Sequence, residues 1–379
     1  MLSNFKNTLT RSLTNIRGWK TVRKIVVIDS DDWGSIRVPD KETRDAFQGK
    51  GYNIMSNPYC KYDTLANSED LDALFGVLRK YRDGKGNHPV FTANTVVANP
   101  DFHAIRQSGF KEYSYKPFTT TLNEYYPGEN IFGIWKQGIA ENIFRPQYHG
   151  REHLNVPLWL DTLQSGNKLF LDAFDAGFWG VPKNLHSKDI YNIQAAYSSP
   201  DPDKVAYYKS AIEDGLALFE NIFGFRSQTF IANNYTWSPE LHPILKKEGV
   251  IGLQSMRYQK VPDAAKAAGV RLEPAYTGKR TQQGQVYLVR NCAFEPSQMA
   301  KGFDNVGNCL KDIGNAFRFG KPAIIASHRL NFIGSIDSNN RENNLVLLDS
   351  LIKQITNKWP EAEFMSSDQL ALLILENGK

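Results

Sequence analysis

The segment "KIVVIDSDDWGS" (Lys24–Ser35) runs from four apolar residues, Ile25 to Ile28, into three carboxylates, Asp29, Asp31 and Asp32. The apolar run reads as a short buried strand. Downstream, strand and helix patterns alternate. "SEDLDALFGVLRKYRDG" (68–84) has helical periodicity and ends at a glycine, and "HPVFTANTVV" (88–97) is a second strand. "NIFRPQYHG" (142–150) leads into "HLNVPLWLDTLQSG" (153–166), a helix closed by Gly166. A helix over 202–224, the strand "SQTFIANNY" (227–235), a helix opened by Ser238-Pro239 and the strand "VIGLQS" (250–255) follow. The chain closes on "PAIIASH" (322–328), a helix over 342–359, the strand "AEFMSS" (362–367) and a last helix. Such alternation predicts parallel βα units wound as a barrel or an open sheet, in one domain over 25–379. Stretches 100–145 and 257–305 fit it poorly and are expected to be insertions over the mouth, where selectivity sits.

Composition narrows the function. The chain has 379 residues, 41% of them hydrophobic, and a net charge of +5 without the dense basic stripe of a nucleic-acid binder. Cys60, Cys292 and Cys309 are too far apart for a metal knuckle or a disulfide framework, which favours a reducing compartment. No apolar run approaches the roughly 18 residues of a membrane span. Residues 1–24 form a basic arm with Leu2, Phe5, Leu9, Leu13, Ile16 and Trp19 at helical spacing and no acidic residue. It lacks the apolar core of a signal peptide, so a cytoplasmic location is expected. The arm is read either as a helix packed by its apolar stripe or as one lying on an anionic membrane surface, here the inner face.

Barrel enzymes carry their chemistry at the C-terminal ends of strands. The first strand delivers Asp31 and Asp32, the strand before "HGREH" delivers His149 with His153 four residues on, and "PAIIASH" delivers His328. Buried adjacent carboxylates need protons or a cation to coexist. Two neutral imidazoles and one aspartate oxygen make a three-ligand zinc site with an open position. Each feature has a plainer reading: Asp as a turn cap, His328 as a structural histidine. Together they are hard to attribute to chance.

The pattern resembles the polysaccharide deacetylase family built on the NodB homology domain. The likeness rests on "SDDWG", on His149 and His153 as its HxxxH pair, on His328 in "IIASH" and on the order of the closing elements. It implies a distorted TIM-like (β/α) barrel of about seven strands. It further implies a metal, usually zinc, held by Asp32, His149 and His153, with Asp31 as general base and His328 as general acid. The substrate would be an N- or O-acetylated sugar or polysaccharide precursor. Tyr235 in "FIANNYTW" sits where the family's third-motif tyrosine supplies an oxyanion N–H, with Asn233 and Trp33 alongside as substrate-side candidates. The family's third-motif arginine is missing, since Arg226 lies too far upstream, and Asn233 is the expected substitute support for Asp31. The fourth motif, which partners the acid histidine, has no counterpart after "VIGLQS".

Two other readings stand beside this one. "HGREH" also matches HxxEH, the inverted zincin motif with Glu152 as base, although Pro146 and Gly150 argue against a continuous helix there. A non-catalytic carbohydrate-binding barrel could present Trp33, Trp159, Phe178, Trp179 and Trp237 to sugar rings.

Overall fold

The computed structural model describes residues 12–186 and 193–377. Most of the basic arm, residues 1–11, lies outside the described residues. Residues 12–15 are helical, and Leu13 and Ile16 are exposed.

The main-sheet strands are β1 (Lys24–Trp33), β2 (Phe91–Thr95), β5 (Phe144–Tyr148), β6 (Thr229–Phe230), β7 (Gly252–Ser255), β10 (Val286–Val289), β11 (Cys292–Ala293), β12 (Ala323–His328) and β13 (Ala362–Met365). All pair in parallel, in the order β10-β7-β6-β5-β2-β1-β12-β11, with β13 beside the first half of β1. Two antiparallel ribbons lie off the sheet: β3 (Ala98–Pro100) with β4 (Tyr115–Pro117), and β8 (Tyr258–Pro262) with β9 (Val270–Pro274).

The two ends of this row, β10 and β11, are joined by only Arg290 and Asn291. The Arg290 N–H still donates to Ser255 O on β7, whereas the Asn291 N–H donates to Ile324 O on β12. Two residues span only a few ångströms. The sheet must therefore curl until its edges meet, and the chain itself carries the seam. This is the expected distorted barrel, with more strands than the seven anticipated. The expectation of an insertion over 257–305 is corrected: the β8–β9 ribbon fits it, but β10 and β11 are barrel strands. Their runs, "VYLV" and "CA", are too short and too closely spaced to read as a βα unit. Within 100–145, the helix Ile131–Ala140 is the crossover into β5, and Gly138 lets it approach Phe75 on the helix Ser68–Leu78.

Alternation along β1 sorts its side chains. Val26 and Ile28 pack outward with the helices. Ile25 and Val27 face a small inner cluster with Val286, Leu288 and Ile324, closed by Leu370, Ala371 and Ile374 of the last helix, Ser367–Glu376. The apolar floor of the barrel thus gives way upward to polar residues at the strand ends.

Candidate metal and catalytic centre

Alternation alone would send the adjacent Asp31 and Asp32 to opposite faces of β1. Register with β2 runs Ser30↔Ala93 and then Trp33↔Thr95, so two residues of β1 oppose only Asn94. This is a β-bulge, a device that re-aims side chains at strand ends. Asp32 adopts φ +74°, a left-handed conformation rare for a residue with a side chain. Both carboxylates thereby line one cleft. Asn234 and Tyr235, at φ +55° and +56°, line it too. Strained backbone of this kind persists where surrounding structure enforces it, and it gathers at functional sites.

Asp32 Oδ1 lies 3.3 Å from His149 Nε2 and 3.2 Å from His153 Nε2, and all three side chains are buried. The segment joining the histidines is not helical, and Gly150, at φ +109°, makes the turn between them. A Cβ there would crowd Glu152 O at 3.0 Å and the Tyr197 hydroxyl at 3.2 Å. His149 Nδ1 is 2.9 Å from Ile231 O; donation to that carbonyl leaves Nε2 as a lone pair facing Asp32. Burial, opposed by Asp32, depresses His153 to about 4, so the ring is neutral, as a ligand must be. Two imidazole nitrogens and a carboxylate oxygen converging on one point suit a zinc-type divalent ion. Asp32 Oδ2 accepts from Arg37 at 3.0 Å, and Asp63, paired with Arg329, stands behind Arg37. Burial would raise the Asp32 carboxyl, but Arg37 and His153 hold it well below its usual range.

Asp31 is gripped by Arg290, which donates to Oδ2 at 2.7 Å and to Oδ1 at 2.6 Å, and Asn94 donates to Oδ1 at 2.7 Å. Burial acts to raise this carboxyl, yet Arg290 outweighs it and holds it at about 2. Across the cleft, His328 Nε2 is 3.8 Å from Asp31 Oδ2, and its Nδ1 is 2.5 Å from Glu295 Oε1. Glu295 is steadied in turn by Asn331 and Gln298. Burial disfavours the imidazolium, but Glu295, followed by Asp31, raises its pKa to about 9. At neutral pH the cleft therefore holds an ionised carboxylate on one side and a protonated imidazole on the other.

The structure brings Asp31, Asp32, His149, His153, Tyr235 and His328 to one cleft of about 80 Å³. Several expected roles change. Asn233 does not support Asp31; its amide donates to His149 O at 3.0 Å and so steadies the His149 backbone. The Tyr235 N–H is bonded to Ala232 O at 2.9 Å, and the phenol accepts from Arg290 at 3.0 Å, so the residue meets the cleft through its ring. Trp33 is core: it bonds Ser30 Oγ and packs edge-on against Trp135 and Phe144. Trp159, Phe178, Trp179 and Trp237 are likewise buried, which removes them as sugar platforms. Trp179 instead stacks on the His153 ring. Glu152 is bound to Arg151 through both oxygens, at 2.7 and 3.0 Å, and does not line the cleft. Asp29 sits deeper, accepting from Ser367.

Sequence reading missed Arg290, Glu295, Arg37 and Asp63. The signal for the first two was available: "VYLV" ends in Arg290, and Glu295 follows "CAF", each a charge just beyond an apolar run. Nothing local distinguishes Arg37 or Asp63.

No family model matches the chain, and no curated protein matches it. Solved structures do match in chain course. A Mycobacterium smegmatis protein assigned as a polysaccharide deacetylase aligns at TM-score 0.45 and 10% identity, covering 96% of this chain and 94% of its own. A Thermococcus litoralis 4-alpha-glucanotransferase aligns at TM-score 0.45 and 9% identity, covering 92% of this chain and 40% of its own. A Bacillus subtilis peptidoglycan deacetylase aligns at TM-score 0.38 and 11% identity, over 94% and 93%. Superpositions this loose assign neither family nor activity. The chemistry of the cleft has to be read from its own residues.

Proposed function

We propose that this protein is a metal-dependent hydrolase that removes acetyl groups from an N- or O-acetylated sugar. The observation that carries the reading is the convergence of Asp32, His149 and His153 between an arginine-held Asp31 and a glutamate-held His328. Asp32, His149 and His153 would hold the ion. When bound, a divalent ion supplies Lewis-acid polarisation of an acyl oxygen and makes a water acidic enough to react near neutral pH. Asp31 would take up a proton from the water that adds to the acetyl carbon, and Arg290 keeps its carboxylate ionised and aimed. His328 enters the reaction protonated and donates to the departing amine or alkoxide, oriented through Nδ1 by Glu295. Tyr235, with its phenol fixed by Arg290, forms the wall against which the acetyl group rests.

Metal analysis and acetate release test this together. The purified chain should hold one divalent ion, and Asp32→Ala and His149→Ala should lose it. Asp31→Asn should retain the ion yet release no acetate from acetylated oligosaccharides. Full activity in Asp31→Asn, or unchanged metal content in Asp32→Ala, would sink the assignment.

A further inference from the structure

His149 and His153 both face Asp32 Oδ1 through Nε2, but they are held in different ways. His149 stands directly after β5, where its N–H donates to Thr95 O at 2.9 Å and its Nδ1 meets Ile231 O at 2.9 Å. His153 lies past the Gly150 turn, on a segment that is neither helix nor strand. Its Nδ1 is buried and has no hydrogen-bond partner among the described residues. A metal-ligating imidazole ordinarily donates that N–H to a carboxylate, a carbonyl or water, and the bond fixes the ring. Here the ring has to be fixed by contact instead.

Trp179 makes that contact. Its side chain, 1% exposed, stacks on the His153 ring with 5.7 Å between centroids and 22° between planes, within the range of attractive ring pairs. The Arg37 guanidinium lies 5.0 Å from the Trp179 centroid, close enough for a cation–π contact. The same guanidinium donates to Asp32 Oδ2 at 3.0 Å. Arg37 thus touches both the ring that bears on His153 and the carboxylate that His153 faces. Trp179 does not line the cleft, so it reaches the chemistry there only through His153.

We propose that Trp179 is a positioning residue: stacking holds His153 Nε2 toward the metal position in place of the hydrogen bond that orients His149, and Arg37 ties this contact to Asp32. This rests on reading Asp32, His149 and His153 as the ligands. A loop-borne imidazole free to turn would present Nε2 only part of the time, and the ion would be bound more weakly by that fraction.

Cobalt(II) binding to the full-length protein, stripped beforehand with a chelator, tests this without turnover. Affinity is read by competition with a chromophoric chelator, and ligand geometry from the cobalt absorption bands. Trp179→Phe keeps a stacking ring and should bind within about threefold of wild type. Trp179→Leu should bind about tenfold weaker or worse, as expected on losing a group that orients a ligand, and its bands should change. Trp179→Met takes its place, with the same outcomes, should the leucine variant not fold. Trp159→Leu removes an equally buried tryptophan that packs on Phe102 and Phe174, and should change neither readout. Wild-type cobalt binding in Trp179→Leu overturns the positioning role and leaves the metal site intact. So does an equal loss in Trp159→Leu, or no rescue by phenylalanine, since either marks general destabilisation. If the wild-type protein takes up no cobalt, or Asp32→Ala takes up as much, the ligand assignment itself fails and the positioning role with it.

Discussion

Glu295→Gln tests how the acid side of the cleft is built. Glu295 Oε1 meets His328 Nδ1 at 2.5 Å in a buried setting, where burial by itself favours the neutral ring. Glutamine preserves shape and removes the charge. The His328 pKa should then fall clearly below about 9, because burial, the largest influence on the ring, is left opposed only by Asp31 and Asp32. At pH 8 the ring is roughly nine-tenths protonated in the wild type, and that fraction should drop in the variant, with a smaller loss at more acid pH. NMR titration of the His328 ring in metal-free protein reads this directly, with His328→Gln to assign the signal. Where acetate release can be followed, its alkaline limb should move down with the ring. The sign for stability follows from linkage. Since the folded pKa lies above 6.5, the pair stabilises the fold fully below that pH and loses its contribution as pH rises through about 9. The stability gap between wild type and Glu295→Gln should accordingly be largest near pH 6 and narrow above pH 9. If His328 in the variant still titrates near 9, the glutamate is not what holds its proton, and the assigned role fails.

The remaining predictions concern the other buried charges. Arg290→Met leaves Asp29 and Asp31 buried without their cation and should cost about 3–5 kcal/mol at pH 7. The deficit, read from the denaturant midpoint, should shrink as pH falls and the carboxyls protonate; an unchanged midpoint would refute the clamp. Glu152→Gln should leave metal content and acetate release intact while costing about 1–3 kcal/mol from the buried pair with Arg151. Loss of the metal or of activity in that variant would return Glu152 to the site.

Much of this centre was legible in the chain because its parts share one address, the residue just beyond an apolar strand. Asp31, Asp32, His149 and His328 all stand there, and parallel strands in a barrel bring such residues to one rim. Residues that tune them obey no such local rule. Arg290 and Glu295 stand just beyond strands of four and two residues that carry too little periodicity to read as strands. Arg37 and Asp63 lie in loops, and only packing sets them behind Asp32. Aromatic residues misled for the opposite reason. Composition cannot tell a tryptophan that faces solvent from one that fills a core, and Trp33, Trp159, Trp179 and Trp237 all fill cores.

By itself, then, the sequence determined the βα alternation, and with it the strand ends that carry Asp32 and His149, since hydrophobic periodicity is a local property of the chain. Tertiary structure alone decided three further points. The bulge and the left-handed backbone at Asp32 turn two adjacent carboxylates into one cleft against the alternation of a regular strand. Closure of the sheet places Arg290 at its seam, with its guanidinium on Asp31, 259 residues away along the chain. The approach of Glu295 to His328 keeps a buried imidazole charged. All three depend on which strand lies beside which, and pairing between strands distant in the chain is written in no single stretch of it.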